Sequence, residues 1–245
     1  MEGMNIMSYN DIETKPGVYY WAHGDNAEAY EVNRKIAHSE WKYHNKEVKY
    51  TVNSSGYRAP EWDQIDWKES VVLLGGSDTY GIGLSDDETI SYHLENLLGR
   101  QVINLGIPGG SNDLMVYNST KILENFEVPY AVVNVWSVTS RFGYYDEDRL
   151  HHSGAWDADQ NSNVAQLWRT LYENQSHECG MAYRESLINK HLWQGRCKYI
   201  SISFFDSNIE YEKRFYSDTG ARDFVHSGEN VNIGVAEYLY GRLTE

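Results

Sequence analysis

The chain has 245 residues, enough for one α/β domain with an extension. Hydrophobic residues make up 41% and charged residues 23%, so a packed core can form and global disorder is excluded. The net charge is −15 and no Lys/Arg cluster is present, which argues against nucleic acid as a partner, because phosphate backbones are bound by basic patches.

The aromatic content is high, with 20 Tyr and 8 Trp. Such side chains join an apolar body to a polar tip; they suit sugar-binding or protein-binding surfaces, and equally well fill a loop-rich fold. Met1-Glu2-Gly3-Met4-Asn5 has neither the basic nor the apolar region of a signal peptide. The apolar runs are too short to span a bilayer. No membrane insertion is expected, and the expected location is cytoplasmic, or virion-associated for a phage-encoded protein. Cys179 and Cys197 lack metal or redox spacing and read as free thiols.

Residues 1–68 are polar, aromatic and without clear periodicity, and read as an N-terminal extension of turns and short strands. Val48 to Asn53 alternates like a strand, and Ser54-Ser55-Gly56 marks a turn. Residues 69–245 form the main domain. Val71-Val72-Leu73-Leu74 is a continuous apolar run ending in Gly75-Gly76, the pattern of a buried parallel strand feeding a loop. Ser85 and Glu88 have capping-box spacing, and an amphipathic helix is expected from there to Leu98, stopped by Gly99. Gln101 to Leu105 reads as the second strand, Asp113 to Phe126 as a helix and Ala131 to Trp136 as the third strand. Val164 to about Leu192 is mostly helical, Lys198 to Phe204 is a fourth strand, and Asn230 to Leu243 is a closing helix. Strands alternating with helices predict a parallel sheet covered on both faces, with ligands bound beyond the carboxyl ends of its strands.

Three loops carry candidate chemistry. After strand one, Gly75-Gly76-Ser77-Asp78-Thr79-Tyr80-Gly81-Ile82-Gly83 places a serine just past a buried strand. It lacks the Walker A lysine, a GxGxxG register and the GxSxG elbow. After strand two, Gly106-Ile107-Pro108-Gly109-Gly110 can turn a backbone N–H toward an oxyanion. Before the last helix stands Asp223-Phe224-Val225-His226. A serine needs a base to take its proton, and the base needs a carboxylate to fix its tautomer.

The order of these blocks resembles the SGNH (GDSL-like) serine hydrolases. The resemblance spans roughly residues 50–243, with firm matches at these three places. The run Tyr50 to Pro60, with Asn53, Gly56, Tyr57 and Arg58, is also similar to the lead-in of some phage-encoded and polysaccharide-acting members. The resemblance implies a three-layer α/β/α sandwich with a flavodoxin-like parallel sheet. It also implies Ser77, Asp223 and His226 as a catalytic triad, and the backbone N–H groups of Ser77 and Gly109 as oxyanion donors. No cofactor and no metal are implied.

Two departures stand out. Gly76 occupies the place of the usual Asp before the serine. The third block, where Gly-x-Asn-Asp is usual, reads Trp136-Ser137-Val138-Thr139-Ser140-Arg141. Thr139, Ser140 or Asn112 is the candidate replacement for the missing amide donor. Arg141 and Tyr80 are candidate substrate-binding residues. The expected activity is hydrolysis of an acyl ester, O-acetyl groups on a carbohydrate being the candidate substrate. The alternatives are acyl transfer by the same residues, or a carbohydrate- or protein-binding module that kept the fold. Oligomeric state stays open. Other features carry less: adjacent His151 and His152 diverge and have no metal spacing, and Asp146, Glu147 and Asp148 read as a solvated loop. Asn53-Ser54-Ser55 and Asn118-Ser119-Thr120 fit the glycosylation pattern but carry no meaning without a secretory signal.

Overall fold

In the computed structural model, which describes residues 16–22, 24–146, 149–172, 175–205 and 209–245, the apolar runs stand side by side as parallel strands. They are β3 (Val71–Gly75), β4 (Val102–Gly106), β5 (Ala131–Trp136) and β8 (Lys198–Ser203), joined at one edge by the two-residue β9 (Lys213–Arg214). The sheet order is β4-β3-β5-β8-β9 and every pairing in it is parallel. Val72 and Leu74 point to one face, Val71 and Leu73 to the other, as the two-residue period of a strand requires.

Each face is covered by helices. Helices α3 (Ile90–Leu98) and α7 (Glu229–Thr244) pack Ile90, Leu94, Val235 and Leu239 against Val71, Leu73 and Val133. Helices α4 (Asn112–Asn125) and α6 (Gln175–Trp193) pack Leu114, Met115, Ile122 and Trp193 against Val72, Leu74 and Val132. This is the three-layer α/β/α arrangement with a parallel sheet expected from the alternation of patterns. No helix among the described residues is long and apolar enough to cross a membrane.

The structure corrects several sequence expectations. The N-terminal segment holds short strands β1 (Gly17–Tyr19) and β2 (Tyr50–Val52), as expected, but also a ten-residue helix, α1 (Ala27–Ile36). That helix has no fully buried residue; the Asn26 side chain caps it. The Ser85–Glu88 capping box forms, yet it closes a single 3₁₀ turn over Asp86–Glu88. The α-helix starts only at Ile90, capped by Thr89. Glu88 is drawn inward, fully buried, where Lys42 and Lys46 meet its carboxylate at 2.5 and 2.9 Å. Residues read as loop around Asp146 belong to a hairpin of β6 (Phe142–Asp146) and β7 (Arg149–Ser153); Glu147 and Asp148 lie outside the described residues. The long helical stretch divides into α5 (Asn163–Tyr172) and α6.

The N-terminal segment does not build a core of its own. Trp41, Tyr43, Val48, Tyr50 and Val52 pack on Tyr80, Ile82, Leu84 and Ala221 of the main domain. Those four residues flank the two loops that carry Ser77 and His226.

Candidate active site

Ser77 opens the four-residue helix α2 (Ser77–Tyr80) directly beyond the end of β3. As first residue of a helical turn its N–H has no acceptor within that turn, which leaves it available to an anion. The carbonyl of Ser77 accepts from Gly81 N (2.9 Å) and Ile82 N (3.2 Å), so the chain folds tightly back on itself. Gly81 and Gly83 have φ of +82° and +75°, the left-handed region that makes this bend. Arg58, from the lead-in, locks the outside of the bend: its buried guanidinium donates to the carbonyls of Tyr80, Gly81 and Leu84 and to Asp86.

Asp223 and His226 lie on a compact turn before α7. Asp223 Oδ1 accepts from the backbone N–H of Val225 (3.0 Å) and His226 (3.1 Å). The His226 Nδ1–H donates to Asp223 Oδ2 at 2.5 Å, which leaves Nε2 as the proton-accepting nitrogen. Burial acts to raise the Asp223 carboxyl, but the His226 ring and charge and the two backbone N–H groups outweigh it and hold the carboxyl below its ordinary value. For His226, burial acts to lower the imidazole. The Asp223 hydrogen bond and charge, helped by Asp78 and opposed by Arg141, prevail and raise it.

The turn depends on Phe224, which has φ of +58° although it is not glycine. Such a conformation costs on the order of 1–3 kcal/mol and persists only where its surroundings hold it. Phe224 is held by Trp41, with ring centroids 5.1 Å apart. Its neighbour Arg222 is held on every side. Asn33 Nδ2 donates to the Arg222 carbonyl, and Arg222 N donates to Gly83 O at 3.0 Å. The guanidinium pairs with buried Asp25 at 2.6 Å and lies over the Trp21 ring at 4.2 Å. Asp25 also accepts from the hydroxyl of Tyr50, whose oxygen takes the N–H of Gly83 at 2.8 Å.

These contacts bring the two loops together. Gly83 C=O is bound by Arg222 N from the histidine side, Gly83 N–H by Tyr50 from the N-terminal segment, and Ser227 Oγ donates to Asp78 Oδ1 at 3.2 Å. The neighbours in sequence of Ser77 and His226 thus touch. No hydrogen bond joins the Ser77 hydroxyl to the His226 ring among the described residues.

The glycine loop after β4 lies alongside. Ile107 N donates to Gly75 O (3.1 Å), Gly110 N closes the turn on Ile107 O (2.9 Å), and Gly109 has φ of +73°. The N-cap of α4, Ser111, meets Asp113 and, at 3.1 Å, His152 Nδ1. Asp113 also accepts from Gly143 N at 2.8 Å, so the β6–β7 hairpin is tied to the glycine loop. His151 turns away and stacks on Tyr144, so the two adjacent histidines do diverge.

The third block has a physical logic that its sequence hides. A Cβ on Gly76 would stand 2.8 Å from Ser137 Oγ, which explains why the residue before Ser77 is glycine in this chain. Asn112 does not turn its amide to an oxyanion site by default: its Oδ1 takes the N–H of Ser137 (2.9 Å) and its Nδ2 lies 3.4 Å from Ser137 O. It clamps the end of β5. Thr139 is half-buried on the loop that follows. Tyr80, expected to touch substrate, is corrected: it is 4% exposed, stacked on Tyr50 in the N-terminal core, and burial pushes its hydroxyl up to about 12. Arg141 donates from Nη1 to Ser137 Oγ at 2.9 Å.

Trp156 carries no motif in the sequence yet lies beside the glycine loop. Its ring lies beside Gly109, where a Cβ would meet it at 3.6 Å, and the Arg141 guanidinium sits 5.3 Å from its centroid. No spacing rule connects residue 156 to residue 109; the hairpin brings it there. No group of three or more metal-ligating side chains occurs among the described residues.

No protein-family model matches the chain, and no curated protein matches it. Solved structures similar to it include AlinE4, an SGNH-hydrolase family esterase (14% identity, TM-score 0.36, 74% of this chain and 75% of that one). A second is the psychrotrophic esterase EstA from Pseudoalteromonas sp. (15%, 0.38, 72% and 97%). A third is a carbohydrate esterase family 2 enzyme with a carbohydrate-binding domain from Corynascus thermopiles (13%, 0.37, 76% and 66%). At these TM-scores and identities the likeness carries no chemistry over to this chain.

Proposed function

We propose that this chain is a serine esterase of the SGNH type, with Ser77 as nucleophile, His226 as base and Asp223 as its orienting carboxylate. The observation that carries the reading is the His226–Asp223 pair, bonded through Nδ1 at 2.5 Å on a loop tied to the Ser77 loop. Asp223 fixes the tautomer in which Nε2 accepts, and its charge stabilises the imidazolium that forms when Nε2 takes the Ser77 proton. Ser77 Oγ then attacks the ester carbonyl. The N–H groups of Ser77 and Gly109 hold the resulting oxyanion, the alcohol leaves with the proton from His226, and water releases the acid from the acyl-enzyme. Should a sugar hydroxyl replace that water, the same residues perform acyl transfer.

A fluorophosphonate probe tests the reading, because it labels only a serine activated by a neighbouring base. Mass mapping should place the label on Ser77, and Ser77→Ala should lose both the label and hydrolysis of p-nitrophenyl acetate with the fold intact. A label elsewhere, or no label and no turnover of any ester, overturns it in favour of a binding module.

A further inference from the structure

The side chain that the proposed chemistry leaves unexplained is Arg141. Its guanidinium is largely withdrawn from solvent, and this burial lowers its pKa. A cation taken out of water is costly unless an anion or several acceptors compensate it. Arg141 makes one hydrogen bond, to the neutral Ser137 hydroxyl, and no ion pair among the described residues. Asp78 acts on it through space without a direct contact. Four of its five N–H donors remain for another group.

Its position is built rather than incidental. Tyr172 OH donates to the Arg141 carbonyl at 2.8 Å, and Trp168 Nε1 donates to the Ser140 carbonyl at 2.9 Å, so the backbone carrying the side chain is fixed. One face of the guanidinium lies on Trp156. Trp156 is itself seated by Gly154, where any Cβ would come within 2.4 Å of the indole. Ser137, which Arg141 binds, lies against Gly76; Trp156, on which it rests, lies against Gly109. The cation therefore stands between the two loops whose N–H groups would receive the ester carbonyl. Trp156 remains 50% exposed, a flat wall on which a sugar ring or an acyl chain can lie.

We infer that Arg141 and Trp156 form a carboxylate-recognising subsite beside the reacting carbonyl, so that the natural substrate is an ester carrying a carboxylate on its sugar or its acyl part. A planar guanidinium matches a carboxylate in a two-bonded fork, and the aromatic face keeps that fork pre-oriented. The inference rests on the esterase reading for the identity of the ligand as an ester, but its test does not require turnover.

Binding is measured on Ser77→Ala, in which an ester stays intact. One pair of ligands is mono-p-nitrophenyl succinate and p-nitrophenyl butyrate, with the charge on the acyl side. The other is acetylated methyl glucuronoside and acetylated methyl glucoside, with the charge on the sugar. The charged member of one pair should bind at least about 10-fold more tightly, the value expected for hydrogen bonds to a charged group; which pair shows it locates the carboxylate. Adding Arg141→Gln should bring that ratio close to one, and Arg141→Lys should keep only part of it. No preference in either pair, or a preference that survives Arg141→Gln, overturns the inference. If Arg141→Gln does not fold, the two ratios on Ser77→Ala alone decide. A clear preference with neither fluorophosphonate labelling of the parent nor turnover of any ester would sink the esterase reading and leave charge recognition standing; labelling of Ser77 without preference does the reverse.

Discussion

Arg222 and Asp25 are 197 residues apart in sequence and form a buried ion pair at 2.6 Å, next to the acid that orients His226. Asp25 belongs to the N-terminal segment and Arg222 to the turn that carries Asp223 and His226. Through Asp25 the pair also reaches Tyr50, and through Tyr50 the N–H of Gly83 at the end of the serine loop. The segment before the α/β domain is therefore part of the scaffold of the site.

Breaking that pair should hurt more than a surface change. Asp25→Asn leaves a buried guanidinium without its counter-charge, a loss of about 3–5 kcal/mol in comparable cases. Thermal melting should show a large drop in Tm. At a temperature where the variant remains folded, kcat should fall while KM changes little, because Arg222 positions Asp223 and touches no substrate. An unchanged Tm and unchanged kcat would show that the N-terminal segment merely decorates the domain.

The pH profile follows from the signs at His226. The imidazole must be neutral to take the Ser77 proton, and its pKa is raised above the ordinary 6.5. The rise of kcat/KM with pH should therefore be centred above 6.5. Asp78→Asn removes a negative charge that raises His226, so this limb should move to lower pH; a limb that stays in place would contradict the assignment of His226 as base. Asp223→Asn should cost about 10⁴-fold in kcat, less than loss of Ser77 or His226. For stability the signs are opposite for the two partners. The His226 contribution is full below 6.5 and is lost as pH rises through its folded value. That of Asp223 is present above the ordinary 3.8 and is lost as pH falls through its lowered value.

Gly76 and Ser137 should be coupled. Gly76→Ala puts a Cβ 2.8 Å from Ser137 Oγ, and an overpacked contact of this kind costs roughly 1–3 kcal/mol. Ser137→Gly removes the obstacle, so the double variant should recover most of the stability lost by Gly76→Ala. A double-mutant cycle on unfolding free energy checks this. Additive losses would mean that the two residues do not share the space.

Strands β3, β4 and β5 were legible because each is a largely apolar run, which is what burial on both faces demands, and β8 because Ile200 and Ile202 alternate with serines; β9, only Lys213 and Arg214, carries no apolar signal. Helix α7 and the Gly99 stop of α3 were legible for a similar reason, namely local pattern and local caps. Helix α1 was not: it buries no residue fully, and its Tyr30 is held by Trp41 and Tyr43, which lie outside the helix. The capping box at Ser85 forms as its spacing predicts but closes a 3₁₀ turn and not the helix, and Lys42 and Lys46, distant in sequence, hold Glu88 inward there. Tyr80 looked like a site residue from its place in the serine loop. It packs inward against Tyr50, a partner that its own neighbourhood in sequence could not name.

By itself the sequence determined the alternation of strands and helices, and with it the sheet edge where Ser77 and Gly109 lie. It also determined the Asp223–His226 contact, because both residues sit on one four-residue turn and their bond is local. The tertiary structure alone decided what surrounds them. Trp156 reaches Gly109 by way of a hairpin, Arg141 finds Ser137 and Trp156 at the end of β5, and Asp25 finds Arg222 across nearly the whole chain. Contacts of that kind depend on how elements pack in space, and no fixed spacing along the chain encodes them.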